Sequence, residues 1–337
     1  MKSTLKAGAA AVALAILIVG VAAWGVSTGP AGVGWSDALR IFAAHVGIRS
    51  GGTPAQESLV IDLRLPRVLL ALLAGATLAL AGTVMQAVFG NPLAEPGVTG
   101  VSSGAATVAV IMIVSGAGSL WHIQVGAFLG ALCAVAIVHA IAGARGGAGA
   151  TLLLVGIAVN AFLGAVISAV IANAPSSDSA KQALFWLNGD LSGTTWPDVR
   201  AAILPMLLGS VVLLAFLRDL NLLLLGDEQA ASTGMNVTRI RQVLLACAAL
   251  VTAGSVAVTG VISFVGLVVP HAVRLVVGND HRRLVPLSMA FGSVFLAAAD
   301  VVARNILQPV VLQTGTVTAL VGAPVLLYLV TRSRRVR

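Results

Sequence analysis

The sequence predicts an all-α polytopic membrane protein of about ten transmembrane helices, and three observations carry that prediction. Hydrophobic residues make up 58 % of the 337 and charged residues only 9 %, where a soluble domain carries roughly 25 % charge. Glycine contributes 37 residues without a collagen-like period; apolar sequence this rich in glycine suits closely packed membrane helices, because small side chains let backbones approach. The few charges punctuate apolar runs, most of them long enough for the roughly 20 residues that a membrane helix needs. A soluble enzyme, a disordered chain and a disulfide scaffold are excluded.

The charge-free runs place the spans in order. Ala7–Val26 gives the first, near 7–26, and Val68–Ala94 the second, near 68–88. Pro96–Ala144 is long enough for two, near 98–117 and 122–143. Gly146–Ser177 gives 151–171, and Ala201–Leu217 gives 200–218. Gln242–Val273 holds one full span, 239–258, and a second, 262–276, that is too short for a simple crossing. Leu284–Ala299 gives 284–303, and Asn305–Thr331 gives 317–331. With the N-terminus inside, most of the 20 Lys+Arg fall on the cytoplasmic side, as positive-inside bias requires. Both termini are then cytoplasmic. The whole chain, 1–337, reads as a single transmembrane domain with no soluble domain. Its connections are Ser27–Asp62 outside, with an amphipathic stretch at Trp35–Val46; Asn173–Asp198 outside, with a short helix over Asp178–Leu187; and one long inside loop, 218–238.

Several chemistries find no residues to carry them. A phosphate-binding loop needs Lys between Gly and Ser or Thr, and Lys2, Lys6 and Lys181 all lack that setting. His45, His122, His139, His271 and His281 are scattered, and no His/Cys/carboxylate cluster has metal spacing. Cys133 and Cys247 lie inside apolar runs and read as buried helix thiols. The arginines form no stripe and aromatics are only 4 %, which argues against nucleic-acid binding. No catalytic residue and no metal ligand is assigned.

Three stretches stand out. Arg64-Leu65-Pro66-Arg67 opens the second span on the outside. Pro66 suits a first helical position, and arginines three apart share a side. Positive-inside bias disfavours arginine here, so the pair suggests carboxylates on a partner; the plainer reading is snorkelling to headgroups. Gln86 to Gly97 places two prolines and two glycines between apolar spans. This break is tolerated at membrane depth only where it is buried in protein or lines a cavity. Gln86, Asn91 and Asn160 are the few polar groups near a translocation route; equally, they bond neighbouring helices. In the inside loop, Asp227 caps a helix of one to two turns, Gly234 ends it, and Asn236 or Thr238 caps the next. The knob so formed would fit a cleft in a soluble partner, with Ala231 and Met235 as contacts and Glu228 at the rim. The alternative is a solvated connector.

These residues resemble the FecCD permeases, the ten-helix membrane subunits of ABC importers for vitamin B12, iron–siderophore complexes and haem. The resemblance runs from Arg64 to Pro324. It rests on RLPR at 64–67, GNPLAEPGVTGVSSGA at 90–105, LLLGDEQAASTGMNV at 223–237, GVISFVGLVVPHAVR at 260–274, DHRRLVPLS at 280–288, ADVVARN at 299–305 and GTVTALVGAP at 315–324. It implies the type II importer architecture in the cytoplasmic membrane: a pore made with a second copy of the chain or a paralogous permease. It further implies two cytoplasmic ATPase subunits that bind ATP and Mg, a substrate-binding protein outside, and no cofactor in this chain. By the same resemblance, Arg64, Arg67 and Arg304 pair with glutamates of the binding protein, and the loop Gly226–Val237 docks on the ATPase. An i,i+4 pair with Asp300 is the plainer reading of Arg304. The turn Gly143–Ala150 departs from the family, being nearly all Gly and Ala where relatives often carry polar residues beside the inner gate. A ferric siderophore fits a weakly adhesive route best; haem would favour Tyr, His or Met, and Tyr328 is the only tyrosine. Haem and cobalamin are the alternatives. An ion-coupled secondary transporter is remote, since it needs intramembrane carboxylates, and only Glu95 and Asp300 lie near spans.

Overall fold

Apolar runs free of charge fold as helices here because, away from water, a backbone satisfies its polar groups most simply within one segment. The computed structural model describes residues 2–29, 33–45, 52–143, 149–307 and 310–333. The turn noted for its Gly and Ala therefore lies mostly outside the described residues, Arg145 included. The elements are α1 (Lys2–Ser27), α2 (Trp35–His45), α3 (Pro54–Ser58), α4 (Leu65–Val88), α5 (Val101–Ser115), α6 (Leu120–Gly143), α7 (Gly149–Ala172) and α8 (Ser177–Leu187). They continue as α9 (Trp196–Ala215), α10 (Leu217–Leu223), α11 (Asp227–Ser232), α12 (Val237–Thr259), α13 (Val265–Val277), α14 (His281–Asn305) and α15 (Thr314–Ser333). No strand occurs among the described residues. Among the described residues, six helical stretches are long and apolar enough to cross a membrane, and four shorter apolar ones accompany them: Val12–Ser27, Val101–Ser115, Val265–Val277 and Thr314–Leu329.

Arg64 and Arg67 do not open a helix. A π-helical turn, Leu59–Arg64, joins α3 to α4, so that helical backbone runs unbroken from Pro54 to Val88. The true start is a capping box: Thr53 Oγ1 accepts the Gln56 N–H at 3.4 Å, and Gln56 Oε1 accepts the Thr53 N–H at 3.0 Å. The wider turn accommodates Pro66, which has no N–H to give to the preceding turn. In the π register that N–H would have gone to the carbonyl of Ile61. Trp196 Nε1–H donates to it instead, at 3.0 Å, which ties the start of α9 to this bend.

Burying apolar surface between helices gains little in lipid, so close packing and hydrogen bonds hold the bundle. α4 is its central rod, with 78 % of its apolar window buried. It crosses α14 where Gly75 meets Gly292, and α13 where Gly82 meets Gly266; a Cβ at either α4 glycine would overlap the facing carbonyl. The Gly266 carbonyl is the one that Pro270 leaves without a helical donor. Hydrogen bonds supplement these contacts: Thr77 to Ser255 of α12 at 3.0 Å, and Ser293 of α14 to the Leu72 carbonyl at 2.8 Å. α13 begins at the depth of Leu78 and Gly82, which is why the eighth segment is short: it starts inside the bundle. α7 is the least enclosed span, with 6 % of its window buried.

Candidate functional site

Among the polar groups that interrupt this apolar bundle, three places bear on function. The first surrounds Asp300 near the C-terminal end of α14, where the N-terminal part of α4 and the ends of α1 and α15 converge. Its side chain is 1 % exposed. It accepts two bonds from Arg67, from Nε at 3.0 Å and Nη2 at 2.8 Å, and one from Thr314 Oγ1 at 3.0 Å. Arg304 Nε lies 3.2 Å away across one helical turn, and its Nη2 also donates to the Gly25 carbonyl at 3.1 Å. Arg64 is buried beside them and donates from Nη1 to the carbonyls of Val26 at 2.9 Å and Val33 at 3.0 Å. The site therefore holds three guanidiniums around one carboxylate.

The second place is a cavity of about 290 Å³ inside the bundle. It opens where two non-helical breaks meet. One is the stretch after α4, which returns through a 3₁₀ turn, Pro96–Thr99; the other is the link 260–264 between α12 and α13. Asn160, midway along α7, ties the first of these breaks to α5 from the side. Its Nδ2 donates to the Gly97 carbonyl at 3.1 Å, and Ser103 Oγ donates to its Oδ1. Glu95, Ser102 and Ser263 also line the space, and no basic side chain does. The lining includes Phe264, with φ of 69°, the one non-glycine residue in the left-handed region among those described. Such a strained residue persists only where its surroundings fix it.

The third place is the loop between α9 and α12, at the opposite end from Asp300. α10 buries Leu220 and Leu223 against Met85, Val88 and Val285. Gly226, with φ of 94°, turns the chain into α11, and Gly234, with φ of 86°, turns it out again. Asn236 Oδ1 then caps α12 by accepting the Arg239 N–H at 3.0 Å. The outcome is a compact knob with Glu228 and Ala231 exposed.

A family model for the FecCD transport family matches residues 13–332 of this chain. The chain belongs to the FecCD transport family. Among its relatives, the cobalamin import system permease protein BtuC of Halobacterium salinarum is 46 % identical over 308 residues, 91 % of this chain and 81 % of that one. The hemin transport system permease protein HmuU of Yersinia pestis is 40 % identical over 282 residues, 82 % of this chain and 84 % of that one. A solved structure, a metal-chelate type ABC transporter in an inward-facing conformation, matches with a TM-score of 0.84 and 29 % identity. That match covers 95 % of this chain and 98 % of that one. The chain is thus a multi-pass membrane permease.

Several expected site residues sit differently in this FecCD permease. Arg64, Arg67 and Arg304 were expected to offer charge outward; all three are turned inward and bonded within the chain. The reason is Asp300: a buried carboxylate must be paired, and its partner Arg67 lies 233 positions away in sequence, beyond the reach of any spacing argument. Gln86 does not border the cavity. It is buried between α4 and α13, donating to the Leu267 carbonyl at 3.1 Å and accepting from Arg274 Nη2 at 3.2 Å. Asn91 is exposed, and its Oδ1 accepts the Leu93 N–H at 2.9 Å within its own turn. Of the three expected pathway groups, Asn160 alone borders the cavity. Asp227 does not cap α11. Gly226 holds the cap position, and the Asp227 carboxylate instead forms two 2.7 Å bonds to Arg241 of α12. Met235 is packed toward the core rather than outward. Glu95, which borders the cavity, was visible in sequence as one of two carboxylates near spans but was given no role.

Proposed function

We propose that this FecCD permease is the membrane subunit of an ATP-driven importer, which carries a metal chelate from an external binding protein into the cytoplasm. The observation that carries this reading is the exposed α10–α11 knob, turned by two left-handed glycines and seated on buried leucines. A connector with no load to bear needs no such seating. The sequence has no phosphate-binding loop of its own, so work from ATP must enter through a contact, and the knob is the shaped surface for it. Two cytoplasmic ATPase subunits would supply ATP and Mg, and this chain would carry no cofactor. The Lys/Arg bias supports an orientation with the knob and both termini on the cytoplasmic side, in the inner membrane. The pore needs a second permease, a copy of this chain or a paralogue, and α7 is the exposed span available to line or join it.

The Asp300 cluster then lies on the outer side, facing the binding protein. Its three arginines hold that face in shape and give it a net positive field toward an acidic partner. For the cargo, we favour a cobalamin first, a reading supported by the 46 % identity over 91 % of the chain to a relative named for it. Haem and a ferric siderophore follow. The test is uptake into vesicles that contain the permease, its ATPase and its binding protein. Cobalamin, haem and a ferric siderophore are offered side by side, with and without ATP. ATP-dependent accumulation of one of them is expected; accumulation of none would overturn the reading.

A further inference from the structure

Asn221 projects from α10 onto the first residues of α14. Its Nδ2 donates to Asp280 Oδ1 at 2.7 Å. Its Oδ1 accepts the His281 backbone N–H at 2.8 Å and faces His281 Nδ1 at 2.9 Å. One amide therefore engages both sides of the peptide at which α14 begins. Asp280 needs no help to cap that helix, since its carboxylate already accepts the Arg282 N–H at 3.1 Å. The Asn221 bonds are extra, and they run between elements about 60 positions apart in sequence.

The knob has two other attachments, and their physics differs. Leu220 and Leu223 pack against α4 and α14, but apolar contact is non-directional and permits sliding. The Asp227–Arg241 pair is bidentate but leads into α12 rather than α14, and with side chains 56 % and 31 % exposed it is open to screening by salt. Hydrogen bonds are directional, and Asn221 is the hydrogen-bonded attachment that fixes register against α14. What it grips is the start of a rigid pair. α14 meets α4 at Gly75–Gly292, is bonded to it through Ser293, and carries Asp300 near its far end, where that residue binds Arg67 of α4.

We propose that Asn221 is the joint through which displacement of the knob reaches α14, so that α4 and α14 move together and carry it to the Asp300 end. This rests on the importer reading above. A stroke at the knob would otherwise slip over the leucines or be absorbed by the exposed pair to α12.

The test uses the complete complex in vesicles: permease, ATPase and binding protein, with ATP hydrolysis and cargo uptake measured together. Asn221→Ala should leave the ATPase bound and hydrolysis within about twofold of wild type. Uptake per ATP should fall by about tenfold, within the usual range of coupling between sites. Asn221→Asp should do worse, because it sets two carboxylates face to face. An unchanged ratio in Asn221→Ala overturns the proposal. So does a ratio in Asn221→Asp no lower than in Asn221→Ala while the complex assembles and hydrolyses ATP. If the wild-type permease does not retain the ATPase, the importer reading itself fails, and this shows before any variant is compared.

Discussion

Replacing Asp300 by Asn keeps the side chain's size and removes one charge. In the structure that charge accepts two bonds from Arg67 and one from Thr314, and it lies 3.2 Å from Arg304, in a place 1 % exposed. The substitution leaves Arg64, Arg67 and Arg304 as three close cations without a counter-charge and turns an amide N–H toward guanidinium donors. Breaking a buried pair from one side costs about 3–5 kcal/mol. Arg67→Ala is milder. It removes one of the excess cations, and Asp300 keeps Arg304 and Thr314, so the loss is that of charged hydrogen bonds, about 1.5–3 kcal/mol. The expected order of damage is therefore Asp300→Asn greater than Arg67→Ala. The assay is heat denaturation of the purified permease in mild detergent, followed by the amount that remains monodisperse. Equal stability of wild type and Asp300→Asn would refute the reasoning. An Arg67→Ala protein of normal stability that had lost its binding protein would point to the guanidinium acting outward instead.

Gly82→Val should abolish folded permease or reduce it severely, because the new side chain meets the Gly266 carbonyl where α4 crosses α13; overpacking of this kind costs typically about 1–3 kcal/mol, and the yield of monodisperse protein measures it. Asn160→Cys should react with a water-soluble thiol reagent in the assembled complex, since Asn160 borders the polar cavity; inertness in both resting and nucleotide-trapped states would remove it from the route. Ala231→Trp places bulk on an exposed face of α11 and should reduce ATPase co-purification and transport together. Wild-type levels of both would make the knob a mere connector.

Composition and charge-free runs made the helices legible, because a membrane span is a one-dimensional signal: length and apolarity suffice. The knob was legible too, since Gly234 and Asn236 act through local backbone chemistry that spacing reveals. Even there Asp227 misled. Its position suits a cap, but Arg241, two bonds' worth of partner, lies a loop and a helical turn further on, and a charge-assisted pair outweighs a single neutral-donor bond. The start of α4 was misread although its signal was present, for Thr53-Pro54-Ala55-Gln56 is a capping box with proline at the first position. Pro66 drew attention as a helix start when it is in fact carried inside a helix by a π turn and by Trp196, a residue 135 positions away from the carbonyl it satisfies. The same distance hid the partners of Arg67 and Asn221.

Polar residues in an apolar bundle are few, several of them pair across the fold, and the sequence states only that such residues exist. Their pairing is set by the glycine crossings that bring α4 against α13 and α14. A substitution at Gly75 or Gly82 would therefore do more than open a gap. By separating α4 from α14 it would unseat Arg67 from Asp300 at one end, and by separating α4 from α13 it would take Gln86 from Arg274 at the other. The small residues that carry no chemistry decide which of the charged ones can meet.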